Sequence, residues 1–340
     1  MSPAGGRSLR LVHYGLGAIG IEVARLARSR SGLVSVGAVD IDPALAGRRL
    51  AEALGEDAEA EPGSEVTIAG DNSVLSCTQA DVALHCTGSS AERVKDQLLA
   101  LLRVGLKVIT TCEELSFPWE EAGAIARELD QEAKRNGVTL LGTGVNPGFA
   151  MDYLPIALSA VMRRVEHVRV HRVQDAASRR LPLQAKVGAR LTPQEFELGV
   201  REGQVRHVGL MQSAQALAAA FGWSLGRVEE SIRPLLAQRA TASGRGTVPT
   251  GRVIGLHQTL HAWAGEQQVV ELVLDMALGL PEPRDEISML GDPDLHLVVP
   301  GGLPGDAATA AIVVNSIPLV VEAQPGLLTM AQLAPPRPWS

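Results

Sequence analysis

The sequence predicts an α/β protein of two domains, the first built on a parallel sheet and the second on an open, largely antiparallel sheet. Within residues 1–150, short apolar runs alternate with helical segments, the pattern of parallel strands joined by crossover helices. The first of these runs, residues 9–14, leads directly into the glycine pattern G-x-G-x-x-G. Residues 151–305 carry longer alternating runs instead, and the apolar stretch within residues 306–340 is expected to complete the first domain.

The glycine pattern predicts a Rossmann dinucleotide-binding domain. Gly15 allows a tight turn, Gly17 lets the backbone approach a pyrophosphate, and Gly20 lets the helix pack closely on the strand. A second apolar run ends at Asp40, about 20 positions past the last glycine, where NAD-binding proteins carry the acidic residue that binds the ribose hydroxyls. A glycine-rich turn in an ordinary parallel sheet is the alternative. The cofactor-binding residues predicted here are Gly15, Gly17, Ala18, Ile19, Gly20, Asp40 and Asp42.

The residues around Asp40 favour NAD(H) as the cofactor. A helix is predicted from Pro43 to about Leu54, and it carries Arg48 and Arg49, which are either solvated helix residues or cations that reach the 2′-phosphate of NADP. The carboxylate of Asp40 would repel that phosphate. The sequence therefore favours NAD(H) and leaves NADP(H) open.

Composition and charge exclude several classes of protein. The 340 residues are 46% hydrophobic and 20% charged, and the net charge of −7 argues against a nucleic-acid binder, which needs a basic face. No stretch has the apolar length of a membrane span, and residues 1–10 lack the apolar core of a secretory signal. Cys77, Cys86 and Cys112 lack C-x-x-C spacing, so neither a disulfide framework nor a metal site is expected. These observations predict a cytoplasmic protein with reduced thiols.

Two further strands of the first domain end in loops that suit a cofactor. Because the carboxyl ends of parallel strands lie at one edge of a sheet, ligands bind there. The strand at 83–88 ends in a Gly-Ser turn, and the strand at 138–141 leads to an Asn-Pro-Gly turn whose amide matches a nicotinamide carboxamide. A plain turn is the alternative for the second loop. The cofactor-wall residues predicted from these loops are Thr87, Gly88, Ser89, Asn146, Pro147 and Gly148.

The strand at 106–111 ends in a pair of carboxylates, Glu113 and Glu114. The structural explanation for such a pair is that the helix dipole favours glutamate at the start of a helix. Pro118 and the residues after it indicate, however, that the next helix begins only after Phe117. The sequence therefore predicts a functional role for one of the two glutamates.

The second domain is expected to begin near Met151. At its far end, Asp306 is predicted to cap an apolar helix that runs to about Val321, and the proline-rich tail after Ala334 is expected to be disordered. The elements predicted between are a strand at 165–173, helices starting after Thr192 and at Val208, a flexible connection at 238–251, a hairpin around 264–266, and strands near 287 and at 295–299.

Seven motifs resemble those of a known family. They are GLGAIG at 15–20, VDID at 39–42, TTCEELSFPW at 110–119, GTGVNPGF at 142–149, HVGL at 207–210, GDAAT at 305–309 and PGLLTM at 325–330. Together they resemble 2,4-diaminopentanoate dehydrogenase and the related native NAD(P)-dependent amine dehydrogenases, over nearly the whole chain. The implied fold is similar to that of dihydrodipicolinate reductase, although the histidine–lysine signature and the S-G-T loop of that enzyme are missing here.

The resemblance implies a reversible reaction in which a small ketone and ammonia are reduced to a primary amine. It implies a catalytic acid/base at Glu113, with Glu114 as the alternate, no metal, and a homodimer. Other oxidoreductases of this fold, a dihydrodipicolinate-type reductase or an amino-acid dehydrogenase, are the same-class alternatives, and a non-catalytic NAD-binding sensor is the alternative of another class. The substrate-pocket residues implied are Phe149, Tyr153, His207 and Thr309.

A substrate that carries a carboxylate would need a positive partner. Five basic residues in or after the first strand of the second domain are candidates, and a solvated surface is the alternative explanation for them. They are Arg172, Arg179, Arg180, Lys186 and Arg190.

Overall fold

The computed structural model describes residues 7–55, 65–76, 78–177, 179–243 and 246–339. The chain divides into two compact units, Met1–Phe149 with Pro304–Ser340, and Ala150–Leu303. Residues 56–64, in a segment rich in acidic residues, glycine and proline, and Cys77 lie outside the described residues.

Helices and strands alternate through the first unit, and most strands of the second unit follow one another in its second half. The strands are β1 Leu9–Tyr14, β2 Leu33–Val39, β3 Ile68–Ala69, β4 Val82–His85, β5 Lys107–Thr110, β6 Thr139–Gly142, β7 Arg164–Asp175, β8 Arg227–Leu236, β9 Thr241–Ser243, β10 Gly246–Val248, β11 Val253–Ala264, β12 Gln267–Ala277, β13 Arg284–Asp292, β14 Leu295–Pro300 and β15 Gly326–Leu328. The α-helices are α1 Ala18–Arg28, α2 Leu50–Leu54, α3 Ala91–Arg103, α4 Gly123–Arg135, α5 Tyr153–Leu158, α6 Leu181–Lys186, α7 Pro193–Arg201, α8 Leu210–Phe221, α9 Gly305–Asn315 and α10 Ile317–Glu322.

The first unit is built on a seven-stranded sheet in the order β15-β6-β5-β4-β1-β2-β3, and all of its pairs are parallel. Its strands are apolar on both faces, as a sheet covered by helices on both sides requires. Val12, Ala83 and Val108, for example, have no exposed surface. The chain order reverses between β1 and β4, which creates the crevice where doubly wound sheets bind their ligands. The predicted α/β fold class with an N-terminal Rossmann domain is confirmed.

The C-terminal segment belongs to this first unit. Helix α9 packs on α1, and β15 extends the sheet beyond β6. The stretch Gly305–Glu322 is long and apolar enough to cross a membrane by length and composition. Within the described residues, however, α10 packs on β5 and β6, as a core helix of a globular unit does.

The prediction of a disordered tail after Ala334 is wrong. The indole of Trp339 is 8% exposed and donates a hydrogen bond to the carbonyl oxygen of Ser31, 3.2 Å away. In return, the guanidinium of Arg30 donates to the carbonyl oxygen of Trp339 at 2.6 Å. One buried aromatic side chain thus anchors a segment whose composition is otherwise typical of disorder.

The helix predicted from Pro43 to Leu54 begins only at Leu50. Gly47 has a positive φ of 86°, a conformation that ends helical geometry, and the backbone from there pairs with the segment around Ile68. The Gly47 amide donates to the carbonyl oxygen of Ile68 at 2.8 Å, and the Ile68 amide donates to that of Arg48 at 2.9 Å. Strand pairing therefore overrides the local helical pattern, and Arg48 and Arg49 precede the helix instead of lying inside it.

The C-terminal helix also differs from its prediction. Pro304 occupies the N-cap position of α9, and Asp306 lies in the first turn, where a negative charge still favours the helix dipole. A second helix, α10, starts at Ile317 with Pro318 in its first turn. Because proline has no N–H to donate, the helix cannot continue unbroken through this position.

The second unit is built on a six-stranded sheet in the order β14-β13-β7-β12-β11-β8. All neighbours are antiparallel except β12 and β7, so the predicted open, largely antiparallel sheet is confirmed. Its apolar face contacts α8. The predicted helix after Thr192 is α7, whose capping box joins Thr192 and Glu195 reciprocally.

Two glycines of the β1–α1 turn are expected to respond differently to alanine. A Cβ at Gly20 would lie 1.9 Å from the carbonyl oxygen of Gly15, whereas a Cβ at Gly17 meets nothing within 4 Å. We expect Gly20→Ala to lower the free energy of unfolding by about 1–3 kcal/mol, because the turn must open to admit the methyl group. Gly17→Ala, with φ of −63° at that residue, is the matched control and should unfold at the wild-type urea midpoint. Equal midpoints for both variants would contradict this account of the turn.

The stability of the first unit is expected to fall between pH 6.5 and pH 5. Burial, with a smaller contribution from Arg28, lowers the pKa of His13 from 6.5 to about 4, and burial likewise lowers that of His85 to about 4. Both rings are therefore neutral in the folded chain and take up protons on unfolding as the pH falls below 6.5. The urea midpoint should drop as the pH is lowered through this window, and the His13→Gln variant should show a shallower drop. A urea midpoint that does not change with pH in this window would contradict the proposed effect of the two buried histidines.

Candidate active site

A row of backbone hydrogen bonds holds the carboxyl ends of the parallel strands together. The first amide beyond each strand donates to the last carbonyl of its neighbour: Gly15 to Val39, Cys86 to Tyr14, Thr111 to His85, and Thr143 to Thr110, at distances of 2.7–3.0 Å. The row fixes the starting point of every loop that the sequence predicted as part of a site. Four sequence-distant loops thereby share one edge of the sheet.

The β1–α1 turn has the shape that a pyrophosphate requires. Gly15 has φ of +88°, and a Cβ there would lie 2.8 Å from the carbonyl oxygen of Cys86, so only glycine fits. Gly17 and Ala18 are exposed, and the first turn of α1 carries no acidic side chain. Open space therefore lies in front of a helix N-terminus, where unpaired N–H groups and the dipole favour an anion. Ile19 is partly exposed in the same turn.

Asp40 binds the glycine turn directly. One oxygen of its carboxylate accepts a hydrogen bond from the Leu16 amide at 2.5 Å, and the other accepts from the Asp42 amide at 2.8 Å. Asp42 in turn accepts from the Ala44 amide at 2.9 Å. Each oxygen of Asp40 keeps a second lone pair, so the carboxylate can still accept hydroxyl hydrogen bonds. These residues fit the adenosine ribose of a dinucleotide.

The loop after β4 presents Thr87, Gly88 and Ser89. Thr87 and Gly88 are exposed at the edge of the sheet, and Ser89 is half-buried. The hydroxyl of Thr87 donates to Oε1 of Gln97 on α3 at 2.7 Å. This contact fixes the orientation of a side chain that faces the crevice beside the glycine turn.

The two glutamates after β5 have different surroundings. They begin a one-turn 3₁₀-helix, Glu113–Leu115, and the next α-helix, α4, begins at Gly123, after Phe117 as predicted. The carboxylate of Glu114 accepts a hydrogen bond from the amide of Ala91 at 2.8 Å and so caps the start of α3. Its backbone amide donates to the carbonyl oxygen of Ser89 at 3.3 Å. Glu114 thus ties its turn to the neighbouring loop.

Glu113 lies one residue nearer to the strand end and is half-buried. Its carbonyl oxygen accepts from the hydroxyl of Ser116 at 2.8 Å. Burial raises the pKa of the Cys112 thiol, and the nearby carboxylates of Glu113 and Glu114 raise it further. Gly142 allows this turn to pack on β6, because a Cβ there would lie 2.1 Å from the carbonyl oxygen of Leu115. The turn that carries Glu113 is therefore held on several sides.

The loop after β6 is compact and buried. A Cβ at Gly148, which has φ of +114°, would lie 2.7 Å from the Gly144 amide nitrogen. The hydroxyl of Thr309 on α9 accepts a hydrogen bond from the Val145 amide at 3.2 Å. Asn146 is 9% exposed, its peptide bond to Pro147 is cis, and Phe149 is half-buried at the end of the loop. Thr309 is thereby placed beside the loop that was predicted to hold the cofactor amide.

The remaining predicted pocket residues lie in the second unit. Tyr153 is buried at the start of α5. The backbone of His207 forms a reciprocal pair with the buried amide of Gln258, with both hydrogen bonds at 2.9 Å. Arg172 is 2% exposed and donates to the carboxylate of Asp285 at 2.8 Å and to the carbonyl oxygen of Leu303 at 3.0 Å. This buried ion pair accounts for Arg172 structurally, so it is not the positive partner of a substrate.

Two buried polar residues next to the site, His85 and Thr110, were not among the residues predicted for it. The two are register partners at the last positions of β4 and β5, and His85 Nδ1 lies 2.9 Å from the Thr110 hydroxyl. A polar residue at the last position of each of two adjacent buried strands was the signal that pointed to them. Trp119, the last residue of the motif at 110–119, packs on the apolar core of the first unit.

No group of three or more His, Cys, Asp or Glu side chains arranged to hold a metal ion occurs among the described residues. The edge of the sheet therefore offers a glycine turn, the carboxylate of Asp40 beside it and the carboxylate of Glu113 on a fixed turn. This set fits a dinucleotide cofactor with an acid/base group nearby.

Known proteins are similar to this chain in sequence and in structure. The family model of the 2,4-diaminopentanoate dehydrogenase C-terminal domain matches residues 149–340, more than half of the chain. A 2,4-diaminopentanoate dehydrogenase of Acetoanaerobium sticklandii is 29% identical over 338 residues, which cover 97% of this chain and 94% of that protein.

Solved structures agree with the sequence comparison. An amine dehydrogenase from Mycobacterium smegmatis superposes with a TM-score of 0.86 at 27% identity and covers 98% of both chains. Dihydrodipicolinate reductase from Paenisporosarcina sp. TG-14 shares the fold alone, with a TM-score of 0.52 at 14% identity over 96% of this chain and 99% of that one. The chain belongs to the 2,4-diaminopentanoate dehydrogenase family and is an NAD(P)-dependent oxidoreductase that acts on CH–NH2 groups.

Proposed function

We propose that the protein is an amine dehydrogenase that interconverts a primary amine with a small ketone and ammonia. The observation that carries the proposal is the position of Glu113, on a turn fastened to the same sheet edge as the glycine cradle. In the amine-forming direction, ketone, ammonia, reduced cofactor and one proton give amine, oxidised cofactor and water. In the amine-oxidising direction, amine, oxidised cofactor and water give ketone, ammonia, reduced cofactor and one proton.

The cofactor site is proposed at the carboxyl edge of the first sheet. The glycine turn holds the pyrophosphate, Asp40 the ribose, and the loops after β4 and β6 the remaining wall. When bound, the nicotinamide supplies or accepts the hydride. Phe149 and Thr309 are proposed to shape the substrate side of this edge, and Tyr153 and His207 are assigned to the pocket on the resemblance.

Glu113 is proposed to move the protons of the reaction. As a carboxylate it takes a proton from ammonium, so that the neutral nitrogen can attack the carbonyl carbon. As a carboxylic acid it then protonates the carbinolamine hydroxyl, which leaves as water. The carboxylate that remains stabilises the positive charge of the iminium. Amine oxidation uses the same proton transfers in reverse order.

Three further properties are proposed with this activity. Asp40 lies within hydrogen-bond distance of the Leu16 amide, where its negative charge disfavours a 2′-phosphate, so NAD(H) is the preferred cofactor. The outer face of the second-unit sheet carries partly exposed charged side chains, among them Arg169, Glu271 and Glu286, which supports a homodimer formed from two copies of this mixed-charge surface. The cytoplasm is the proposed compartment, since Cys86 and Cys112 are free thiols.

Oxidation of NADH by a panel of small ketones, with and without ammonium at alkaline pH, tests the reaction. We expect consumption only when ketone and ammonium are both present, because the hydride acceptor is the iminium. NADPH, run in parallel, should support a lower kcat/KM. Consumption without ammonium would instead identify a carbonyl or imine reductase, and a panel without turnover despite tight NADH binding would favour the sensor.

Substitution of the two glutamates separates their roles. Glu113→Gln keeps the shape but cannot exchange protons, so we expect kcat to fall by about 10²–10⁴-fold with the Kd for NADH unchanged. Glu114→Gln keeps an acceptor for the Ala91 amide and is the matched control; it should retain most of the wild-type kcat. Measured by steady-state kinetics and NADH fluorescence titration, an inactive Glu114→Gln beside an active Glu113→Gln would move the acid/base role by one residue.

A further inference from the structure

We infer that His85, through Thr110, is a positioning residue for the turn that carries Glu113, and that the same ring orients Thr87 in the cofactor wall. The inference rests on the proposed acid/base role of Glu113. It assigns a function to a buried polar chain that runs from α3, through the ends of β4 and β5, to the Cys112 amide.

The chain is continuous in hydrogen bonds. His85 Nε2 lies 2.8 Å from Oε1 of Gln97 and 3.0 Å from the hydroxyl of Thr87, and His85 Nδ1 lies 2.9 Å from the hydroxyl of Thr110. The Thr110 hydroxyl accepts a hydrogen bond from the Cys112 amide at 3.1 Å. His85 and Thr110 are wholly buried, so water does not compete for these contacts.

The donors and acceptors fix the tautomer of the ring. Oε1 of Gln97 can only accept, so His85 Nε2 carries the proton. Nδ1 is then an acceptor, and the Thr110 O–H must point at it. This leaves the lone pairs of the Thr110 oxygen for the Cys112 amide. The direction of every bond in the chain follows from the one carbonyl oxygen at its start.

The neutral state of the ring is required for this arrangement. A protonated ring would carry a hydrogen on Nδ1 and would turn the Thr110 hydroxyl away from it. Burial lowers the pKa of His85 to about 4, so the acceptor persists through neutral and alkaline pH. Tyr14 stacks on the ring with 5.4 Å between centroids and limits its rotation.

Thr110 controls the start of the catalytic turn. Its oxygen holds the Cys112 amide, and Glu113 is the next residue along the chain. The other fastenings of the turn, from Glu114 to Ser89 and Ala91, hold the far side of Glu113. Without the Thr110 hydroxyl the Cys112 amide, directly before Glu113, loses its partner, although the Thr111 amide stays bonded to the carbonyl oxygen of His85. A displacement of a catalytic group by about 1 Å costs on the order of 10²-fold in rate.

A second buried histidine supplies the control. His13 on β1 lies 2.9 Å from the hydroxyl of Ser35 on β2 and is equally buried, but this pair contacts no loop residue of the site in any hydrogen bond that the structure describes. Ser35→Ala therefore removes the same kind of buried histidine–hydroxyl bond from the same sheet. This variant loses a buried hydrogen bond, as Thr110→Val does, but it leaves the contacts of the turn that carries Glu113 unchanged.

The experiment compares Thr110→Val, Thr110→Ser and Ser35→Ala in ammonium-dependent ketone reduction, with active sites counted by NADH titration. We expect Thr110→Val to lower kcat per NADH-binding site by about ten-fold or more, with the Kd for NADH within about two-fold of wild type. Thr110→Ser restores the hydroxyl and should recover most of kcat, and Ser35→Ala should keep it.

Gln97→Met, on a half-buried helix position, tests the other end of the chain should Thr110→Val fail to fold. It removes the acceptor that orients His85 and Thr87, so we expect the Kd for NADH to rise several-fold and kcat to fall. Wild-type kcat in Thr110→Val, an equal loss in Ser35→Ala, or wild-type Kd and kcat in Gln97→Met would overturn the inference. Full activity of Glu113→Gln in the same assays would contradict the proposed acid/base role itself. Any loss of kcat in Thr110→Val would then have a cause other than the position of Glu113.

Discussion

The row of backbone hydrogen bonds at the carboxyl edge of the parallel sheet is the constraint on which the candidate site depends. Each loop begins with an amide already bonded to the neighbouring strand, as Cys86 is to Tyr14 and Thr143 is to Thr110. The loops therefore start from fixed points a strand spacing apart, and only the next few residues of each need special chemistry. A rigid frame with short functional loops is what a site that must align a cofactor with an acid/base group requires.

Acidic residues of these loops differ in the contacts that their carboxylates make. The carboxylate of Glu114 accepts a hydrogen bond at the start of α3. This contact holds the turn that also carries Glu113. Asp40 likewise closes the glycine turn through the Leu16 amide while keeping lone pairs for a ligand. The carboxylates of Glu114 and Asp40 thus make structural contacts at the sheet edge, and Glu113 is the carboxylate that we propose as the acid/base group.

The sequence was informative where the chemistry is local and misleading where it depends on distant partners. The glycine pattern and the acidic residue after β2 follow from turn geometry, so the parallel sheet and its ligand edge could be predicted. The helix predicted from Pro43 failed because the backbone after Gly47 pairs with a strand 20 residues later, which no local pattern encodes. The tail was misjudged for the same reason, since Trp339 is ordered by the carbonyl of Ser31. Strand β8 was not predicted, because its exposed and half-buried residues do not follow the strict two-residue alternation of a strand.

The two buried histidines show why location decides the consequence of a polar group in a core strand. His13 and His85 are neutral rings of one sheet, each bonded to a hydroxyl on the next strand. His13 pairs with Ser35 inside the strand, so its hydrogen bond contributes to the stability of the sheet. His85 occupies the last position before the loop, where its hydrogen bond to Thr110 leads to the backbone amide next to the proposed acid/base residue, Glu113. The same interaction stabilises the sheet at one position and, in our proposal, orients a loop at the other, because only the strand end is bonded to the first residues of that loop.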